Sequence, residues 1–293
     1  MNEFSIVGAR SAPPPAPRKA PAWYRGKPLV CMGLLLLIVG GCLGCELFLP
    51  KDPAYMDLAH CSAAPCREFL FGTDAMGRDI FSMIWYGGRL SLFIGVFSTL
   101  VSTLLAVFLG SLSGCAGARL DRLLMRANEI FISIPNLLLI VLLQAILGEA
   151  SALSLSLVIG LTSWMSIAKV VRTQVRVLRE SGYVQAAKCM GAGFTHILRV
   201  HLAPNFLPSI LFMIVMNVRS AILTESTLSF LGLGLPLEII TWGSMLSLAE
   251  KALLTGSWWV IVVPGVFLIV TLLCFTQLGE ALRRRSGQSD RRL

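Results

Sequence analysis

The sequence predicts an all-α integral membrane protein, a bundle of six transmembrane spans with both termini on the cytoplasmic side. Three observations carry that reading. Of the 293 residues, 55% are hydrophobic and 14% charged, against about 45–50% and about 25% in soluble domains. Apolar runs recur six times, and because a span takes about 20 residues plus loops, one bundle accounts for the whole length. Lys and Arg divide unevenly between the intervening segments: nineteen fall on one side, five on the other, and Arg219 lies inside a run. Cytoplasmic segments retain basic residues, so the side with nineteen, which carries both termini, is the inner one. The net charge of +9 thus records orientation in a bilayer, and no nucleic-acid partner is expected.

Residues 1–28 combine Pro and basic residues without an apolar core, the composition of a disordered cytoplasmic tail. The run at 29–49 is too long for a signal-peptide core and lacks a small-residue cleavage site, so it reads as a retained first span. Residues 50–89 form an outer loop. After Phe71-Gly72, either Thr73 or Asp74 can cap a helix whose apolar positions Met76, Ile80, Met83 and Ile84 recur at helical spacing until Gly87-Gly88. With Trp85 and Tyr86 as interfacial anchors, that helix is expected to lie along the outer membrane surface.

The core domain, 90–281, holds the remaining spans at 90–117, 130–147, 152–168, 206–223 and 257–278. Gly110 and Gly114 form a small-xxx-small pair where backbones can approach, and Pro135 and Pro264 are expected to bend their helices. A second outer segment covers 229–256, and a basic cytoplasmic tail, 282–293, ends the chain. The long inner loop has its own order. Val171, Val175 and Leu178 form an apolar stripe beside the basic stripe of Arg172, Arg176 and Arg179. A second helical piece covers 183–190 and stops at Gly191-Ala192-Gly193, and a third runs from Thr195 until Pro204 breaks it. Apolar faces on short helices outside the membrane must be buried, and a partner protein is the economical way to bury them.

Most cysteines sit in apolar runs, where a thiol behaves as a small hydrophobe. Cys61 and Cys66, beside His60 in a polar loop, leave three readings open: a small disulfide loop, a metal site, or two unrelated thiols. His60, His196 and His201 are not at ligand spacing, so no metal is expected on them. No phosphate-binding GxxxxGK[ST] loop, HExxH or GxSxG occurs, and no catalytic residues are expected. Asn217, Arg219 and Glu225 fall at or near the outer end of the fifth span. A charge at mid-bilayer costs at least about 2.5–3.5 kcal/mol, so these three are candidates for a translocation path or its gate, against snorkelling of Arg219 and plain solvation of Glu225.

The inner segment GYVQAAKCMGAGFTHILRVHLAPN, at 182–205, resembles the EAA loop of ABC-importer permeases through Ala186, Ala187, Gly191 and Pro204. Gln185 stands where the family has Glu, His201 where it has Ile and Ala203 where it has Leu. The outer FGTDAMGRDIFS, at 71–82, is similar to the Gly-Thr-Asp-x-x-Gly-Arg-Asp element (Gly72, Thr73, Asp74, Gly77, Arg78, Asp79) of the oligopeptide, dipeptide and nickel permeases of the second-subunit type. Glu225 to Gly234 and Trp242-Gly243-Ser244-Met245 follow in family order; the C-terminal end after Arg283 departs from it. The resemblance implies a type I importer permease, a carrier without chemistry of its own. In it the loop 172–205, with Tyr183, Gln185, Ala186, Ala187, Gly191, Ala192 and Pro204, docks on an ATPase. It also implies a second homologous permease, two ABC ATPases that hold ATP and Mg, and an extracytoplasmic solute-binding protein, in a bacterial inner membrane. This chain itself takes no cofactor. The implied cargo is a dipeptide or oligopeptide, with nickel or a metal–metallophore complex as the alternative. An ion-coupled secondary transporter is the rival from another class.

Overall fold

A computed structural model describes residues 29–48, 52–148, 150–236, 238–248, 252 and 255–289. The 1–28 tail and the last residues of the C-terminal tail lie outside the described residues. Among the described residues the principal helices are α1 Leu29–Leu43, α2 Ile80–Cys115, α3 Ala118–Ser133, α4 Asn136–Leu147, α5 Ala152–Thr162, α6 Met165–Leu178, α7 Gly182–Cys189, α8 Ala203–Phe230, α9 Trp242–Ser247 and α10 Trp259–Ser289. The segments Ile80–Cys115, Phe194–Phe230 and Trp259–Arg284 are each long and apolar enough to cross a membrane, and the bent pairs α3–α4 and α5–α6 raise the candidates to five. With 15 residues, α1 is shorter than the about 20 a span requires.

The 36-residue α2 is the central post, packed by α5, α6 and α8. Small residues set its contacts. A Cβ on Gly95 would stand 2.5 Å from Ile222 of α8, one on Gly110 2.7 Å from the Ala168 carbonyl of α6, and one on Gly114 2.7 Å from Val175 of α6. The Gly110–Gly114 pair thus lets two backbones touch. We expect Gly110→Leu to push α6 off α2 at a cost of about 1–3 kcal/mol, read as a lower denaturation midpoint of the purified protein; an unchanged midpoint would contradict this packing.

Several expectations are corrected. No helix capped by Thr73 or Asp74 lies on the membrane surface. Asp79 caps α2, accepting from the N–H groups of Phe81 and Ser82 and from the Ser82 hydroxyl at 2.7 Å, and Gly87-Gly88 does not interrupt the helix. The reason is packing. Ile80, Met83 and Ile84 are fully buried, and a Cβ on Gly88 would stand 2.6 Å from Cys42 of α1 and from Trp242 of α9, so the glycines admit neighbours rather than end the helix. The boundary at 89/90 therefore falls inside α2.

The run at 130–147 is not one helix: α3 and α4 meet at 95° across Ile134-Pro135, and α5 and α6 at 46° across Ser163-Trp164. The stripe of Val171 and Val175, expected against a partner, is buried on this chain's own α2. Pro204 does not break its helix. It sits in the first turn of α8, where a missing N–H costs nothing, and a wide π-helical turn, Ile197–Leu202, joins that turn to Phe194–His196. Because α8 continues to Phe230, Asn217 and Arg219 lie midway along it rather than at its end. Cys61 and Cys66 are both exposed and unbonded in this structure, the arrangement of two separate thiols. Pro264 sits inside the continuous α10.

Candidate functional site

Four features built by this packing bear on function. At one end of the bundle the Gly-Thr-Asp segment folds into a closed knot. Gly72 and Gly77 adopt φ of +78° and +74°, and a Cβ on Gly77 would lie 1.9 Å from the Asp57 carbonyl oxygen, so only Gly fits there. The Asp74 carboxylate accepts from the N–H groups of Met76 and Arg78 at 2.9 Å and from Arg78 Nε at 2.7 Å. Trp259 at the start of α10 donates to the Thr73 carbonyl at 3.0 Å. Thr73, Asp74 and Arg78 are buried; the knot ties the loop to the ends of α2 and α10.

Just inside that end, Glu225 of α8 is fully buried. Its carboxyl oxygens accept from Thr241 at 2.7 Å, Ser229 at 3.0 Å, Ser91 at 3.3 Å and Ser226 at 3.4 Å. Two of these hydroxyls also accept backbone N–H groups, Ser91 from Trp242 at 3.2 Å and Thr241 from Ser244 at 3.0 Å, which directs their protons to Glu225. The carboxyl thereby joins α2, α8 and the cap of α9; it is not solvated.

Between the two helix breaks lies a cleft of about 520 Å³. Its polar lining comes from Asn136, Thr162, Ser163, Ser166, Asn217 and Ser220, and Asn217 Nδ2 donates to Ser102 Oγ at 2.6 Å. Broken helices expose polar backbone at membrane depth only where it lines a cavity or is buried in protein. Of the three intramembrane candidates, Asn217 lines this cleft. Glu225 does not, and Arg219 keeps its Nε buried without a hydrogen-bond partner. Reading the sequence missed the other lining residues; the signal available was a set of Ser, Thr and Asn residues inside apolar runs.

At the opposite end, α7 presents two faces. Val184 and Ala187 are buried on the bundle, while Tyr183, Gln185, Ala186 and Met190 are exposed. Gly191, φ +84°, ends it in a Schellman turn: its N–H donates to the Lys188 carbonyl and that of Ala192 to the Ala187 carbonyl. Ala192 and Gly193 continue the turn, and Pro204 is exposed. The rings of Tyr183 and His201, and of His196 and His201, lie 6.0 Å apart beside this turn.

This exposed helix is tied to the bundle through α6. Asp121, in the polar first half of α3 and outside its apolar continuation, receives Arg172 Nη2 at 2.7 Å, Ser113 Oγ at 2.6 Å and a further contact from Arg176. Arg179 donates to the Gly114 carbonyl at 3.0 Å. The Arg172 guanidinium holds the Asp121 carboxyl well below the usual carboxylate range, aided by Ser113 and Arg176 against the opposing effect of burial. A depressed carboxyl stabilises the fold above its unfolded pKa of about 3.9, and that contribution is lost as pH falls through the folded value. Asp121→Asn should therefore lower stability at neutral pH and flatten its acid dependence. The cost should fall below the about 3–5 kcal/mol of a fully buried pair, because Arg176 remains 43% exposed. Stability curves of the two proteins between neutral pH and pH 3 check this; superimposable curves would contradict it.

An apolar helical bundle with bent helix pairs and a polar cleft defines a membrane-embedded protein. Comparison with known proteins places it more closely. Residues 106–288 match the family model of the binding-protein-dependent transport system inner membrane component, and the chain belongs to that family, whose members are multi-pass inner-membrane proteins. It is similar to the dipeptide transport system permease protein DppC of Bacillus subtilis, with 35% identity over 85% of this chain and 78% of the relative. The oligopeptide transport system permease protein OppC of the same organism gives 35% identity over 89% and 85%. The probable D,D-dipeptide transport system permease protein DdpC of Escherichia coli K12 gives 32% over 88% and 87%. Among solved structures, the inward-facing MetNI methionine ABC transporter shares the fold at a TM-score of 0.55 and 19% identity, covering 69% of this chain and 95% of that one.

Proposed function

We propose that this chain is one of two permease subunits of an ATP-driven peptide importer, crossing the membrane six times with both termini in the cytoplasm. The observation that carries this reading is the exposed face of α7 with its Gly191 turn, which continues α6 and so the bracing at Asp121. ATP and Mg reside on two partner ATPases; closure of the ATPases would move α7, and α6 would pass that motion to α2 and the cleft. The second permease completes the path lined here by Asn217, and the knot at Gly72–Asp79 supports the face that receives a solute-binding protein. Peptide cargo is supported by the relatives named for dipeptide and oligopeptide transport.

The test is a mild-detergent pull-down from the native host followed by ATP-dependent uptake in vesicles. Recovery of a second permease and ATPases, with uptake of labelled di- or oligopeptides, is expected. Uptake of nickel or a metallophore complex instead would overturn the cargo. Uptake insensitive to ATP depletion by a chain that purifies alone would replace the importer with a secondary carrier.

A further inference from the structure

A cavity of about 700 Å³ near the Thr73 end lies apart from the polar cleft. It opens between α1 and α2 and is apolar along most of its length, lined by Val39, Leu43, Leu92, Phe93, Val96 and Phe275. Along α2 the polar lining residues Tyr86 and Arg89 precede the apolar ones Leu92, Phe93 and Val96. Glu238 also lines the cavity, and the Arg89 guanidinium contacts Glu46, just beyond α1. Arg89 is 49% exposed and Glu46 66%.

We propose that this slot holds a zwitterionic aminophospholipid. One acyl chain would lie along Leu43, Phe93 and Val96, the phosphate on Arg89 and the Tyr86 hydroxyl, and the ammonium on Glu46 or Glu238. Charge and polarity choose this occupant. The ligand must be apolar over most of the slot and carry a negative and a positive group side by side at a single end. Arginine has five N–H donors, so contact with Glu46 leaves others for phosphate oxygens. The mouth adjoins an apolar strip of α2, where Phe93, Val96, Leu100 and Leu104 are exposed, so the slot is continuous with a surface that membrane lipid would cover. The inference does not depend on the cargo.

The test uses the full-length chain with the subunits that accompany it, purified in mild detergent from membranes containing phosphatidylethanolamine and phosphatidylglycerol, with bound lipid quantified by mass spectrometry. Stoichiometric phosphatidylethanolamine is expected to survive detergent exchange. Val96→Trp, which fills the slot from its exposed rim, should abolish this retention. Arg89→Gln should reduce it several-fold and erase the preference over phosphatidylglycerol. Equal retention of both lipids by the unaltered protein, or retention indifferent to both substitutions, would overturn the site. Photo-crosslinking from position 96 to another polypeptide instead of lipid would overturn it in favour of a partner helix.

Discussion

Replacing Glu225 by Ala is expected to destabilise the protein by about 3–5 kcal/mol, because the hydroxyls it organises are sealed from water and each orphaned polar group costs about 1–3 kcal/mol. Ser91 and Thr241 already accept backbone N–H groups, so without Glu225 their protons have no ready acceptor. Ser226 and Ser229 lie on α8 itself and can turn to its carbonyls, which is why the total falls short of four full penalties. Glu225→Gln keeps one acceptor oxygen and should lose less. Denaturant titration of the purified protein reads the difference, and hydrogen exchange at the α9 backbone should rise in the Ala variant, since Trp242 and Ser244 hang on the same network. Should Glu225→Ala unfold with the unaltered midpoint, the carboxyl would not be the tie between α2, α8 and α9.

Gly191→Trp is expected to reduce uptake to background while leaving the chain folded and inserted. Two terms separate here. An L residue at φ +84° pays about 1–2 kcal/mol for the left-handed conformation, and no other group lies within 4 Å of the position its Cβ would occupy. The bundle therefore tolerates the ring, and the obstruction falls on whatever docks against α7. Gly191→Ala pays the same backbone cost with a small side chain and should keep substantial transport, so the contrast between the two variants isolates docking from folding. ATPase subunits should be missing from a pull-down of the Trp variant and present with Ala. Normal uptake by Gly191→Trp would falsify the assignment of α7 as the docking surface.

Much of the local order was legible along the chain. The close approach at Gly110 and Gly114 and the stop of α7 at Gly191 follow from backbone chemistry, because Gly alone tolerates contact or positive φ without penalty; the turn at Gly77 did not, since that stretch read as a helix. Asp121 shows the limit. Its neighbours Arg172 and Arg176 come from another helix, 51 and 55 residues away, and no periodicity brings them together. Glu225 was visible as an unusual residue, but its hydroxyl partners are drawn from α2 and the α9 cap, which only packing assembles. Gly87-Gly88 read as a helix end because local propensity disfavours Gly in helices; buried contacts with Cys42 and Trp242 outweighed that preference.

The sequence by itself determined the class of molecule: residence in a bilayer, a helical bundle, and membership in an importer-permease family through short motifs whose residue types are dictated by local geometry. Only the tertiary structure decided where helices bend or run on, which apolar stripe faces the chain's own core, and which polar side chains share a site. The physical reason is range. Propensity, capping and positive φ act within a few residues, whereas burial of Val171 on α2, the Asp121 cluster and the polar cleft arise from groups far apart in the chain that meet only when apolar faces pack.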